Sequence, residues 1–195
     1  TQQRLLALTF DDGPWSEQYT DQVLVIHDNY QVKATFFLNG RGIEENPSAA
    51  AKIVMQGHEI GNHGYSHQRL VLRDWNTIKY EVDYTQTLIR NLGYQGPIHF
   101  RPPYGKKLLL LPWHLSQRQM LTVTWNVEPE ALPDVKLSTE AMIAKVNQQV
   151  APGSIILLHV LGSKNELSRQ ALPAIIEGLQ AQGYRLVTVS ELLQA

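Results

Sequence analysis

The residues that could do chemistry stand in four short segments. Asp11-Asp12-Gly13-Pro14 sets two carboxylates side by side. Adjacent carboxylates repel, so they take separate roles, one binding a cation and the other working as a base. The same residue types also favour a plain solvated turn. His63 and His67 are four apart, which brings two imidazoles to one side of a helical turn, as a shared metal requires. One aspartate and two histidines would supply three protein ligands and leave a place for water, the open pattern of a catalytic zinc site. In Arg101-Pro102-Pro103-Tyr104 the prolines stiffen the backbone, which suits holding an arginine fork against a carboxylate; a rigid loop with a surface arginine is the alternative. His159 follows the apolar run Ile155-Ile156-Leu157-Leu158, where it is either a satisfied core residue or a general acid. His27, His58, His99 and His114 show no partner spacing and read as structural or surface residues. Trp15, Trp113 and Trp125 could stack on sugar rings or fill the core.

Those segments need a scaffold, and the hydrophobic pattern supplies one. Seven short apolar runs read as strands, at residues 5–10, 34–38, 58–62, 98–101, 121–125, 154–159 and 185–189. Several are continuous apolar runs, as strands buried on both faces require. Between them lie helical patterns. Ser16 can cap a helix to about Asn29, and Pro47 can open another at its first turn. Asp74 can cap a long helix to Leu92, stopped by Gly93, and Ser138 one that runs to Val150. A further helix spans Glu166 to Gln180. Strands alternating with helices predict an α/β fold with a parallel sheet. If the sheet closes into a barrel, chemistry belongs at the strand C-termini. The two aspartates, the histidine pair, Arg101 and His159 all fall there.

Composition narrows the function classes. The 195 residues are 43% hydrophobic and 18% charged, as in a globular chain, and no repeat or linker divides them, so residues 1–195 read as one domain. Seventeen basic residues against eighteen acidic give a net charge of -1, with no footprint for nucleic acid or a membrane surface. The apolar stretch at 108–111 is far too short to span a bilayer. There is no cysteine, hence no disulfide framework or thiol chemistry. The first residues carry neither an initiator Met nor a signal-peptide pattern, as expected of a mature or trimmed domain.

Together the motifs resemble the polysaccharide deacetylase family, also called the NodB-homology domain or carbohydrate esterase family four. They are Thr9-Phe10-Asp11-Asp12-Gly13-Pro14 with Lys33-Ala34-Thr35-Phe36-Phe37, then Gly57-His58-Glu59-Ile60-Gly61-Asn62-His63 with His67, then Arg101-Pro102-Pro103-Tyr104-Gly105, and last Leu157-Leu158-His159. The resemblance implies a distorted (β/α)7-type barrel and one divalent ion, zinc before cobalt or nickel, held by Asp12, His63 and His67. It implies Asp11 as general base, His159 as general acid and Arg101 as the group that orients Asp11. Tyr104 would offer a backbone N–H to the oxyanion and Leu157 would shape the acetyl pocket. It further implies a metal-dependent hydrolase that removes N-acetyl groups from the amino sugars of chitin-type oligomers or peptidoglycan, acting outside the cytoplasm at the cell envelope. Removal of O-acetyl groups from acetylated xylan is the alternative substrate class.

The sequence departs from the family pattern twice. Gly64 follows His63 where Ser or Thr is usual, which removes a side chain that helps fix the loop. The family's Asp-x-x-Asp-Trp segment corresponds to Glu128-Pro129-Glu130-Ala131-Leu132, so the second Asp and the Trp are missing. An imidazole without its carboxylate partner keeps a lower pKa, so His159 is expected to lose its proton earlier as pH rises, unless Glu128 or Glu130 serves instead. The weakened segment also raises a weakly active or non-catalytic carbohydrate-binding relative as an alternative. Retention of Asp11, Arg101 and His159 argues for catalysis, because binding alone needs neither base nor acid.

Overall fold

Every residue of β1 (Leu5–Asp11) is buried, and the strands around it all run parallel to it or to its neighbours. The computed structural model describes residues 4–131 and 137–195. After β1 the chain forms α1 (Glu17–Asn29), capped by the Ser16 side chain, which accepts the Gln18 N–H. Next come β2 (Thr35–Leu38), α2 (Gly40–Glu45), α3 (Pro47–Met55) with proline in its first turn, and β3 (Glu59–Asn62). Asp74 caps α4 (Trp75–Lys79), which widens into a π-helical turn (Tyr80–Tyr84) before α5 (Thr85–Asn91). The chain continues through α6 (Leu110–Gln117), α7 (Thr139–Gln149), β4 (Ile155–Leu158), α8 (Glu166–Ala181), β5 (Arg185–Val187) and α9 (Val189–Leu193).

The sheet curls into a ring. Its regular part runs β3-β2-β1-β4. Ala7 lies opposite both Ile155 and Val187, so β4 and β5 take opposite edges of β1. Single bridges complete the circuit: Asn62 to Phe100, Phe100 to Thr122, and Val127 to Ile156. The fold is therefore the expected distorted barrel in a single domain, with two of the seven expected strands reduced to bridges. Proline explains the first, since Pro97, Pro102 and Pro103 flank residues 98–101 and offer no N–H to a ladder. In the second, the carbonyls of Val123 and Thr124 turn toward the Arg101 guanidinium, each 3.4 Å from it. The strand expected over 185–189 stops at Val187, because Thr188 and Glu191 form a capping box that opens α9. The helix expected over 74–92 forms with the π turn inside it, and α2, α6 and α9 are short helices beyond those the sequence pattern predicts.

The pleat of β1 sorts its side chains into two environments. Leu6, Leu8 and Phe10 point outward into the main core beneath the helices. Ala7 points inward, where Phe37, Val123 and Val189 fill the barrel. Thr9 and Asp11 share that inner face by the same period, and both are buried. Gly61 on β3 makes room for Phe37: a Cβ there would stand 2.3 Å from its ring. At the N-terminal end of the barrel, Glu59 accepts hydrogen bonds from Thr35, Ser190 Oγ and Ser190 N–H, tying α9 across the opening.

Candidate active site

The C-terminal end of the barrel gathers the expected residues. Asp11 ends β1 on the inner face, 2% exposed. Arg101, which is completely buried, donates from Nη1 to Asp11 Oδ1 at 2.7 Å and to Thr9 Oγ1 at 2.8 Å. The reading of Arg101 as a surface residue of a rigid loop is thus corrected. Its fork does not meet the carboxylate face on; the guanidinium spreads over Asp11, Thr9 and two backbone carbonyls and lies 4.1 Å above the Phe37 ring. Burial pulls the guanidinium below its usual pKa, and the charge and hydrogen bond of Asp11 oppose that pull. The ion pair leaves Asp11 Oδ2 facing His63, 3.7 Å from Nε2.

Asp12, His63 and His67 converge. Their ligand atoms all lie within 4.8 Å of one another. Asp12 Oδ1 stands 3.8 Å from His63 Nε2 and 3.5 Å from His67 Nε2. Two observations show that this set fits a cation. Asp12 Oδ1 is buried without a hydrogen-bond partner, which is costly for a carboxylate oxygen unless something else satisfies it. His63 Nδ1 lies 2.7 Å from the Arg101 carbonyl, so Nδ1–H donates there and Nε2 keeps its lone pair toward Asp12. Burial holds the His63 pKa down against the pull of Asp11 and Asp12, and the neutral imidazole is the form that can ligate. Asp12 (φ 73°) and His67 (φ 58°) both adopt left-handed backbone, a conformation that persists where surrounding contacts over-determine it.

One buried side chain, Asn39, joins two of the loops. Asn39 Oδ1 accepts the Gly13 N–H at 3.2 Å, and its Nδ2 donates to the His63 carbonyl at 3.3 Å. An asparagine after an apolar run carries no distinctive spacing, so only the tertiary contact identifies it.

His159 stands across the opening, with Nε2 4.0 Å from Asp12 Oδ2. Its other ring nitrogen meets Glu130: Nδ1 to Oε2 is 2.5 Å, while Glu130 Oε1 accepts the His159 backbone N–H at 2.9 Å and the Ser168 hydroxyl at 2.5 Å. Burial alone would lower the His159 pKa, but the hydrogen bond and charge of Glu130, with Asp11 and Asp12 behind them, raise it to about 9. The expected fall in its pKa is corrected: the missing family Asp is replaced two residues along the loop from Glu128, at Glu130. Leu132, the place expected for the family Trp, lies outside the described residues. Glu128 accepts the Trp125 indole N–H at 2.8 Å instead.

The two other residues expected at the site are Tyr104 and Leu157. Tyr104 is half-exposed with φ 60°, and its ring packs 4.8 Å from that of His67. Leu157 is buried on β4, opposite Thr9 and two residues before His159. His27, His58, His99 and His114 are all buried away from the Asp12–His63–His67 cluster, as structural residues. Trp15 and Trp113 are exposed and Trp125 is half-buried, so none of the three fills the core. No described helix is long and apolar enough to cross a membrane.

The chain resembles known proteins over nearly its whole length. The family model described as polysaccharide deacetylase matches residues 1–120. A bifunctional xylanase/deacetylase of Pseudobutyrivibrio xylanivorans is 37% identical over 98% of this chain, which spans 31% of that protein. This chain likewise spans 39% of another curated relative, a peptidoglycan-N-acetylmuramic acid deacetylase of Bacillus subtilis, at 34% identity over 97% of the chain. Among solved structures, a peptidoglycan N-acetylglucosamine deacetylase in complex with 4-naphthalen-1-yl-N-oxidanyl-benzamide superposes with a TM-score of 0.90 at 33% identity, covering 100% of this chain and 90% of that one. A pseudoenzyme of the same carbohydrate esterase family from Bacillus anthracis superposes with a TM-score of 0.87 at 28% identity, covering 98% of this chain and 66% of that one, so the fold alone does not confer activity. Motif order, barrel and sequence identity agree: this chain belongs to the polysaccharide deacetylase family.

Proposed function

We propose that this chain is a metal-dependent deacetylase that hydrolyses N-acetyl groups on the amino sugars of an extracytoplasmic polysaccharide of the peptidoglycan or chitin type. One observation carries the reading. A buried Asp11–Arg101 pair and a Glu130–His159 pair face one another across the Asp12–His63–His67 cluster. A binding protein has no need of such a base and acid, held by separate partners on two sides of a cation site. The names of the relatives support the substrate class, and the xylanase/deacetylase supports acetylated xylan as the second reading. The N-oxidanyl amide bound by the related enzyme is a hydroxamate, which offers two oxygens to a metal and so supports the metal assignment.

In this reading each residue has its own part. Asp12, His63 and His67 would hold a divalent ion, zinc by its preference for this nitrogen and oxygen set. Such an ion lowers the pKa of water from 15.7 toward about 7 and polarises a carbonyl oxygen. Arg101 holds Asp11 Oδ1, which leaves Oδ2 turned toward the cluster to take a proton from the attacking water. Glu130 holds His159 Nδ1, so Nε2–H points toward the cluster and can protonate the departing amine. The C–N bond breaks as acetate forms, and each proton has a named donor and acceptor. The backbone N–H of Tyr104 would steady the oxyanion and Leu157 would border the acetyl methyl.

Acetate release from peptidoglycan, chitooligosaccharides and acetylxylan by the zinc-loaded protein tests the reading. Release from the first two, abolished by a strong chelator and restored by zinc, is expected. Release from acetylxylan alone would move the assignment to the O-acetyl class. Binding of glycan without release from any of the three would leave a carbohydrate-binding relative.

A further inference from the structure

The loop between His63 and His67 carries a metal ligand but makes no regular secondary structure of its own, and Gly64 deprives it of a side-chain tether. What holds it is a carboxylate from another element. Glu81, 1% exposed on the π-helical turn, uses both oxygens on this loop. Oε2 accepts the backbone N–H groups of Tyr65 at 2.8 Å and Ser66 at 3.0 Å. Oε1 accepts the Ser66 hydroxyl at 2.6 Å and the Gln68 side-chain amide at 2.7 Å. Ser66 and Gln68 are the two neighbours of His67 in the chain, so the clamp closes on both sides of the ligand. Among the described residues no cation pairs with Glu81; its charge is met by these donors alone.

The rest of the loop is tied to match. Asn62 Nδ2 donates to the Val82 carbonyl on the same π turn at 2.8 Å, while its Oδ1 accepts the Gly64 N–H at 2.9 Å. The carbonyls of Gly64 and Tyr65 accept the N–H groups of Gly40 and Arg41 that open α2. Gly64 itself leaves space for the clamp, with φ 75° and a Cβ position 3.1 Å from Glu81 Oε2. The wider hydrogen-bonding of a π turn re-aims the side chains it carries, and such turns recur at functional sites. Four donors onto one side chain need an acceptor-only group, which a carboxylate is and an amide is not.

We infer that Glu81 is the positioning residue of the metal-ligating loop, holding His67 in its left-handed conformation and thereby setting the affinity of the Asp12–His63–His67 site for a divalent ion. The inference rests on reading that cluster as a metal site. Partners behind a metal ligand typically govern affinity by about 10–100-fold, and the strained His67 backbone makes the ligand dependent on such support.

The test is zinc affinity measured by competition with a chromophoric chelator, alongside thermal unfolding of the metal-free protein. Glu81→Ala should weaken zinc binding by about 10–100-fold and change the visible spectrum of the cobalt-loaded protein. Glu81→Gln, which keeps the shape but loses acceptor capacity, should give a smaller loss and stands in if Glu81→Ala does not fold. Asp83→Asn is the control. Asp83 sits on the same π turn but binds His114 and Arg118 around α6, so its loss should lower stability and leave zinc affinity unmoved. If the folded Glu81 variants bind zinc as the parent does, or if Asp83→Asn weakens zinc equally, the inference is overturned while the metal site stands. A parent protein that takes up no zinc overturns the metal site and the inference with it.

Discussion

Glu130 grips His159 twice, once at the ring nitrogen Nδ1 and once at the backbone N–H, with the Ser168 hydroxyl bracing the same carboxylate. The family places an aspartate in this role at the position occupied here by Ala131. A glutamate one residue earlier has one more methylene with which to cover the difference.

Glu130→Gln should therefore cut turnover by lowering the proton affinity of His159. With its pKa raised to about 9 in the parent, His159 stays protonated through neutral pH and the basic limb of the rate profile lies above it. Losing the Glu130 charge moves that limb to lower pH; a cation at Asp12 would offset the aspartates' share of the shift but not that of Glu130. A pH profile of kcat checks this, and an unmoved basic limb would mean that another carboxylate serves His159.

Asp11→Asn should reduce turnover by about 10²–10⁴ with zinc uptake intact, because Asp11 is outside the proposed ligand set. Calorimetric titration with zinc, run beside the acetate assay, separates the two effects. Near-normal rates would transfer the role of base to a different carboxylate.

Arg101→Met should cost both stability and rate. Removing one member of a buried pair leaves the other charge uncompensated, roughly 3–5 kcal/mol, and frees Asp11 to turn from the water. Arg101→Lys should recover little, since a single ammonium cannot reach Asp11, Thr9 and the carbonyls of Val123 and Thr124 together. Urea unfolding at pH 7 measures the stability term.

Acid should loosen the fold through a second pair of residues, far in role from the site. His27 and His58 pack ring to ring at 5.0 Å beside Phe10 and Phe36, and Nε2 of each is buried without a partner. Burial lowers the pKa of His27 from 6.5 to about 4 and that of His58 to about 3. Both values lie below the unfolded one, so this contribution is complete above pH 6.5 and fades as the pH falls toward 4. For His27 it is worth roughly 3 kcal/mol. His27→Phe should flatten the loss of stability between pH 6.5 and 4, read as the change in urea midpoint with pH. A variant with the parent's slope would assign acid sensitivity elsewhere.

The sequence by itself determined the α/β class, the parallel strands and the placement of most candidate site residues at strand ends. Strand-like segments that end at or just before Asp11, His63, Arg101 and His159 can be read directly, because strand period and strand-end placement are local properties. What it could not determine were relations between segments distant along the chain. Residues 98–101 and 121–125 look like strands, yet proline and the demands of Arg101 leave them single bridges. Glu130 and Glu81 are ordinary acidic residues in sequence; their roles come from folding against His159, 29 residues on, and against a loop 13 to 16 residues back. The same holds for Gly64, which reads as a lost tether and is the opening through which a carboxylate from a π turn reaches the loop. Hydrogen bonds between side chains leave no periodic signature, so only the tertiary structure could decide which carboxylates meet the His63–His67 loop and His159.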